Sequence, residues 1–236
     1  VYDRVTDVHR RFFMPATSSK RPSRQTRQRI LDATLALYND LGEPNVSTTL
    51  IAAEVDISAG NLHYHFRKKD QLTAALLDRF VTEIEELLPP DTWRARDVED
   101  AWFLLHVIFE TIWKYRFLFR DLSGMMARDR KAGHRLSAVF GRSIEVAKGI
   151  CLGLSDAGTL HATPAEIQAL ANNVAVVSLY WLSFDTVRFP RREGSSAAIA
   201  AGVYQVLMLV APFMDPAGRA NVEYLAAQYR AHEPPG

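Results

Sequence analysis

The chain is expected to be all-α, with an N-terminal three-helix helix-turn-helix domain joined to a larger C-terminal helical bundle that dimerises. Three observations carry that fold class. Apolar side chains recur at three- and four-residue spacing through most of the 236 residues. Ser and Thr stand at helix-start positions ahead of several of those runs. The sequence has no apolar-polar alternation bounded by hairpin turns, no internal repeat and no low-complexity tract.

Residues 1–23 mix Arg, Pro, Ser and Thr and are expected to form a flexible basic arm. From Arg24, the positions Ile30, Leu31, Ala33, Thr34, Leu37, Tyr38 and Leu41 trace a first helix that Gly42 stops. Thr48 to Val55 is a second, short helix with Ser47 or Thr48 as its cap, and Asp56-Ile57-Ser58 connects it to a third beginning at Ala59 and capped by Ser58. Two short helices joined by three residues have the spacing of a helix-turn-helix. A fourth helix runs from Asp70 to Leu88 and ends at Pro89-Pro90. The composition changes there, which divides the chain into a DNA-binding domain at 24–88 and a second domain at 89–236.

In the second domain, helices are expected over 95–115, 119–127, 134–154, 163–187, 195–214 and 216–231. Thr163-Pro164-Ala165-Glu166 is a full start signal, with Thr as cap, Pro at the first helical position and Glu at the third.

With 48% hydrophobic residues the chain has enough apolar surface for a packed core. A net charge of +1 does not mark the whole molecule as a nucleic-acid binder, so a basic footprint has to be local. Between Lys20 and Arg29 there are five cations and no acid. The single Cys151 has no internal disulfide partner and sits in apolar helical sequence, which fits a buried thiol and a reducing cytoplasm. The N-terminus lacks the continuous apolar run of a secretory signal, so Asn45-Val46-Ser47 is a chance sequon. Residues 197–214 approach membrane-spanning length, but Gln205, Pro212 and the lack of basic flanks favour a helix buried in protein at a subunit interface, with no membrane partner.

A DNA-reading helix needs small or polar residues at its front, phosphate donors at its edges and an apolar underside. Ala59, Gly60 and Asn61 supply the front, Asn61 and His63 the hydrogen-bonding capacity, and Leu62, Phe66, Ile51 and Val55 the underside. The run Leu62-His63-Tyr64-His65-Phe66-Arg67-Lys68-Lys69-Asp70-Gln71-Leu72 resembles the recognition-helix signature of the tetracycline-repressor (TetR) family, over roughly Arg24 to Leu87. His63 stands where Tyr is commoner, and Asp56 where the turn usually has Gly. The resemblance implies that Tyr64, His65, Lys69 and Thr48 meet the sugar-phosphate backbone. Lys20, Arg21 and Arg24 would add arm contacts.

Trp102, His106, Phe109 and Trp113 fall at spacings of four, three and four, on one stripe of a helix with Phe103 beside it. Such a stripe is a core face or, with Phe117, Met125 and Met126, the lining of an apolar cavity with one polar group. The family resemblance implies a small-molecule effector bound in this domain, and the lining points to a hydrophobic one. Asp121, Arg128, Asp129 and Arg130 read as a solvated turn. The helices at 163–187 and 195–214 carry more apolar surface than one small domain covers, and the resemblance implies a dimer interface there, at Val177, Tyr180, Trp181, Val203, Leu207 and Val210.

His63 and His65, two apart on a helix, point to different faces, and the sequence contains no zinc motif, phosphate loop, dinucleotide fingerprint or nucleophile elbow. No catalytic residue, metal or cofactor is expected. The function expected is a homodimeric, cytoplasmic, sequence-specific DNA-binding transcription regulator. It would be a repressor released from a pseudo-palindromic operator by a small hydrophobic effector, and not an enzyme. The alternatives are a DNA-binding factor controlled by a protein partner without a pocket, and an all-helical enzyme or lipid carrier with a retained DNA-binding head.

Overall fold

A computed structural model describes residues 22–88, 94, 95, 97–120, 122–128, 130–189 and 196–230. Among the described residues the regular structure is helical, apart from a lone antiparallel bridge between Leu160 and Met214.

Helix α1 (Pro22–Leu41) starts two residues before the expected Arg24, so Pro22 and Ser23 belong to the helix and not to the arm. Residues 1–21, including Lys20 and Arg21, lie outside the described residues. Ile30, Leu31, Thr34 and Tyr38 form its buried stripe. It ends at Gly42, whose φ of +81° places it in the left-handed region that glycine enters without steric cost. A 3-10 turn, Glu43–Asn45, leads to α2 (Thr48–Glu54), and the Ser47 hydroxyl caps α2 by accepting the Leu50 N–H. In the connection to α3 (Ala59–His65), Asp56 takes a φ of +56°, where glycine is usual and Asp is among the tolerated substitutes. Ser58 then caps α3 by accepting the Asn61 N–H at 3.1 Å.

Helix α4 (Lys69–Leu87) buries Leu72, Leu76, Phe80 and Ile84 on one stripe. Helix α5 (Val98–Lys114) is capped by Asp97, which accepts the Asp100 N–H at 2.8 Å. The chain breaks at Tyr115 and continues as α6 (Arg116–Arg120) and α7 (Leu122–Arg128), where a single segment over 119–127 was expected. Helix α8 (Arg130–Asp156) begins four residues earlier than expected, and its first turn buries Ala132 in the core. The capping box at Thr163 forms in full ahead of α9 (Pro164–Arg188), and the Thr163 N–H and hydroxyl, both donating to the exposed Glu166 carboxylate, hold its carboxyl below the usual range. Helix α10 (Ser196–Val210), a 3-10 turn at Ala211–Phe213 and α11 (Pro216–Arg230) complete the bundle. At 15 residues α10 falls short of the ~20 needed to cross a bilayer. Helix α9 is long and apolar enough by length and composition, but here it packs between α8 and α10.

The core does not break at Leu88. One apolar cluster runs from Ile30, Tyr38 and Leu62 in the head through Phe80 on α4 to Phe119 and Leu136. A second cluster fills the distal end around Phe109, Cys151, Val203 and Val222. Helix α4 is therefore shared by the head and the bundle, and whatever moves it moves both.

Candidate nucleic-acid interface and effector cavity

The underside of α3 is fixed by burial and its outer side is left free. Leu62 and Phe66 are buried with Ile51, Ala52 and Val55. The Arg27 guanidinium sits 4.8 Å above the Phe66 ring, and Arg29 donates to the Val55 carbonyl at 2.8 Å. These two cations of the basic run hold the motif together. On the outer side Ala59, Gly60, Asn61 and His63 are exposed, and Tyr64 is 80% exposed. His65 is half-buried, its ring edge-on to Tyr64 at 5.3 Å. Arg24 is exposed on α1 and Thr48 is half-buried at the first position of α2. Lys69 turns inward: its ammonium donates to the Glu43 carbonyl, pairs with the Glu43 carboxylate at 3.1 Å and lies 5.7 Å from the Tyr38 ring. Arg67 and Lys68, part of the signature run but given no DNA contact in the sequence reading, are exposed just beyond α3.

The break between α5 and α6 is clasped onto the head. Buried Asn39 on α1 donates through its side-chain amide to the Lys114 carbonyl at 2.9 Å and accepts the Phe117 N–H at 3.1 Å. One side chain thus satisfies both the end of α5 and the start of α6, groups that a helix break leaves without intrahelical partners. Arg120 donates to the Asn39 carbonyl at 2.8 Å and Arg116 pairs with Asp40 at 2.9 Å. From α4, Glu83 accepts from the Tyr115 hydroxyl at 2.7 Å and pairs with Lys114 at 2.8 Å. Burial, followed by the bond to Glu83, drives the Tyr115 phenol well above the usual tyrosine range, so it stays a donor.

Two apolar cavities lie along α5. The first, about 60 Å³, is walled by Phe80 and Ile84 of α4, Ile108 and Ile112 of α5, and residues of α8 and α9. The second, about 70 Å³, lies between Trp102, Cys151, Val206 and Val222. Leu105, Ala147, Ile150 and Val174 line both. Of the eight residues expected to bind a ligand, Trp102 alone lines either cavity. Phe109 is 1% exposed and packed against α10 so closely that a Cβ on Gly202 would collide with its ring. Phe117 meets the Tyr38 ring edge-on at 5.2 Å, Met125 is buried in the head-side core and Met126 packs against it. Trp113 is covered by the Arg116 guanidinium at 4.8 Å, and Phe103 is half-buried away from both cavities. His106 belongs to a polar chain: Trp102 Nε1 donates to the Tyr229 hydroxyl at 2.8 Å, that hydroxyl meets His106 Nδ1 at 2.9 Å, and His106 Nε2 lies 3.3 Å from Glu110.

The missed lining has its own pattern. Ala101, Leu105, Ile108 and Ile112 repeat the spacing of four, three and four, one residue behind the aromatic stripe. One residue is about 100° around a helix. Spacing therefore groups residues into stripes but does not say which side of α5 faces the cavities, and His106 and Phe109 of the aromatic stripe face α11 and α10.

Helix α9 carries an uncovered apolar face, with Val187 82%, Val176 58%, Phe184 52% and Tyr180 43% exposed. Val177 and Trp181 are half-buried, and Trp181 Nε1 donates to the Ala198 carbonyl at 2.8 Å. Val203, at 0%, and Leu207, at 6%, point into their own subunit, and Leu207 and Val210 line the second cavity. The expected interface residues on α10 are thus turned inward, because α10 is covered by α5, α9 and α11. Among the described residues no cluster of three or more His, Cys, Asp or Glu is arranged to hold a metal.

A capped, apolar-rooted α3 with its polar side bare, mounted on a helical bundle, places the chain among the helix-turn-helix transcriptional regulators. The family described as bacterial regulatory proteins, tetR family, matches residues 30–76, and the TetR family described as a bacterial transcriptional repressor matches residues 79–222. A TetR-family transcriptional regulator from Marinobacter aquaeolei VT8 is 32% identical and superposes with a TM-score of 0.75, covering 86% of this chain and 98% of that one. CprB from Streptomyces coelicolor, in complex with its operator sequence, shares the fold at 19% identity and a TM-score of 0.61, over 89% of this chain and 99% of that one. An uncharacterised HTH-type transcriptional regulator in the dhlA 5' region of Xanthobacter autotrophicus is 33% identical over 69 residues, which span 29% of this chain and 33% of that protein. The chain belongs to the TetR family of transcriptional regulators.

Proposed function

We propose that the protein is a cytoplasmic, homodimeric repressor that grips a pseudo-palindromic operator with α3 of each subunit and releases it when a small hydrophobic effector enters the cavities beside α5. The observation that carries the DNA reading is α3 itself: Asn61, His63 and Tyr64 stand exposed on a helix pinned from below by Leu62 and Phe66. Asn61 and His63 read base edges, and Tyr64, His65 and Thr48 position the helix on the backbone with Arg24. Lys69 orders the turn before α2 through Glu43 and reaches phosphate only by leaving that pair. The head at 24–88 is the reading unit and residues 89–236 are the sensing and pairing unit. The activity is binding and not catalysis.

Release follows from geometry. Phe80 and Ile84 on α4 and Ile112 on α5 wall the first cavity, and both helices lead to the Asn39 and Glu83 clasp. A guest that parts α4 from α5 shifts α1, and with it the spacing of two recognition helices that must meet half-sites about one turn, ~34 Å, apart. The cavities favour a small molecule over a protein partner as the controlling agent.

The test is selection of DNA from a random pool by the purified protein at one stated salt concentration. Enrichment of a pseudo-palindrome is expected. Folded protein that enriches no motif would overturn the assignment of α3 as a sequence reader.

A further inference from the structure

We infer that Glu43 is a positioning residue that holds Lys69 inside the head and off the DNA backbone, and that Arg67 and Lys68 supply the phosphate contact at the junction of α3 and α4. The inference rests on the DNA-binding reading above and deepens it by naming which cations meet phosphate.

The run Arg67-Lys68-Lys69 puts three cations between the recognition helix and the body of α4. They do not share one fate. An ammonium has three hydrogens to donate. Lys69 gives one to the Glu43 carbonyl and one to the Glu43 carboxylate at 3.1 Å, and it stands over the Tyr38 ring at 5.7 Å. The Lys69 and Glu43 side chains are only 26% and 23% exposed, so solvent and salt screen this pair less than a fully exposed one. The Lys69 charge is thus answered within the protein before any phosphate arrives.

The backbone explains why Glu43 stands where it does. Gly42, at a φ of +81°, turns the chain out of α1, and the 3-10 turn Glu43–Asn45 follows at once. That turn is pinned in its own right, since the Asn45 side-chain amide donates to the Leu41 carbonyl at 2.8 Å. The Glu43 carbonyl therefore cannot follow Lys69 outward. To reach a phosphate, Lys69 would have to leave both oxygens and strand the Glu43 carboxylate as an unpaired anion beside the DNA.

Arg67 and Lys68 are placed differently. Both are exposed, and neither has an ion-pair partner among the described residues. Their backbone is held: the Arg67 N–H donates to Gln71 Oε1 at 2.8 Å, and Lys68 is extended, with φ −140° and ψ 150°, as the cap of α4. Extended backbone sends consecutive side chains to opposite sides, which lets Lys68 stand out while Lys69 turns in. The two exposed cations follow directly after the end of α3, whose Tyr64 is 80% exposed.

The test is the salt dependence of binding of the full chain to one mixed-sequence DNA duplex, read by fluorescence anisotropy. Phosphate contacts are independent of sequence, and each contributes about −0.9 to the slope of log affinity against log salt. Lys69→Met should keep the wild-type slope. Arg67→Met combined with Lys68→Met should make it shallower by ~0.9 to 1.8 per subunit. Glu43→Gln should release Lys69 and steepen the slope by ~0.9 per subunit, which adds about threefold to fourfold to the affinity lost between about 50 and 200 mM salt. Glu43→Gln combined with Lys69→Met should return to the wild-type slope, a readout that mere loosening of the turn would not produce. If Lys69→Met does not fold, Lys69→Gln keeps a donor for the Glu43 carbonyl and takes its place in both variants. A slope shallower by a whole contact in the Lys69 variant, or a wild-type slope in Glu43→Gln or in the Arg67 and Lys68 pair, would overturn the inference. Wild-type protein that binds no duplex at low salt removes the inference and the DNA-binding reading together. Contrary slopes alongside an enriched pseudo-palindrome remove the inference alone. The expected slopes with no enriched motif sustain it and remove the assignment of α3 as a sequence reader.

Discussion

At the scale of single residues, two side chains hold geometry that a substitution would expose. Asp56 occupies the left-handed region at the turn of the helix-turn-helix. A β-branched side chain is poorly tolerated there, so Asp56→Val should lower stability by about 1–2 kcal/mol in urea unfolding, while Asp56→Gly should change it little. The departure from Gly at this position was legible in the sequence because its cause is local. The same holds for the caps at Ser58 and Thr163, whose partners lie three residues away. Tyr229 is different, since nothing near it in sequence announces its bonds to Trp102 and His106 more than a hundred positions earlier. Burial pushes its phenol up to about 12, against an unfolded value of ~10, with the Trp102 bond opposing and Glu110 adding to the rise. The folded state therefore favours the neutral phenol. That contribution is complete below about pH 10 and is lost as the pH climbs toward 12. Tyr229→Phe should cost about 0.5–1.5 kcal/mol per lost bond at neutral pH and make the decline between pH 10 and 12 shallower, as read from urea midpoints across that range.

At the scale of elements, the α5–α6 break carries the coupling. Asn39 answers Lys114 O and Phe117 N–H together, and replacing it by Ala leaves two groups near a buried joint without partners. The expected loss is about 1–3 kcal/mol per unsatisfied group, so the companion variant is Tyr115→Phe, which keeps the ring and deletes the bond to Glu83. Both should raise amide hydrogen exchange at residues 36–41 of α1. Unchanged protection there would show that the head is held by α4 alone. This joint was illegible beforehand because the sequence suggested one helix to Tyr115 and another from Phe119, and a helix break displays its partners only when the rest of the chain has folded against it. The side of α5 that lines the cavities was hidden for a related reason. Helical spacing fixes which residues share a side, whereas the bundle fixes which side faces α4, α8 and α9. Trp102, His106 and Phe109 of the aromatic stripe face α10 and α11, where Tyr229 and Gly202 receive them, while Trp113 lies under the Arg116 guanidinium.

At the scale of the whole molecule, the proposed operator grip depends on two copies holding their α3 helices in register. Head, fold class and the identity of α9 and α10 as the apolar late helices could all be read from pattern. The assignment of Val203 and Leu207 to the subunit interface could not, because an almost wholly apolar helix has no polar side to indicate which way it faces. The structure leaves Val176, Tyr180, Phe184 and Val187 of α9 uncovered instead. If this stripe is the dimer seam, Val176→Glu with Phe184→Glu places four like charges across a two-fold axis and should give a folded monomer by sedimentation at micromolar concentration. Helical circular dichroism should be retained, since both side chains are more than half exposed. Leu207→Ala provides the contrast: it removes a buried cavity-lining side chain, so it should cost about 2–5 kcal/mol of stability and leave association intact. The monomer would keep each α3 but lose the linkage that makes the second half-site contact intramolecular, an advantage on the order of 10²–10⁴ in apparent affinity. Operator binding should therefore fall by about that factor, and the loss should be the same for both half-sites, because neither recognition helix has been touched. A charged double variant that stayed dimeric would place the seam elsewhere and leave the exposed stripe of α9 without a role in register.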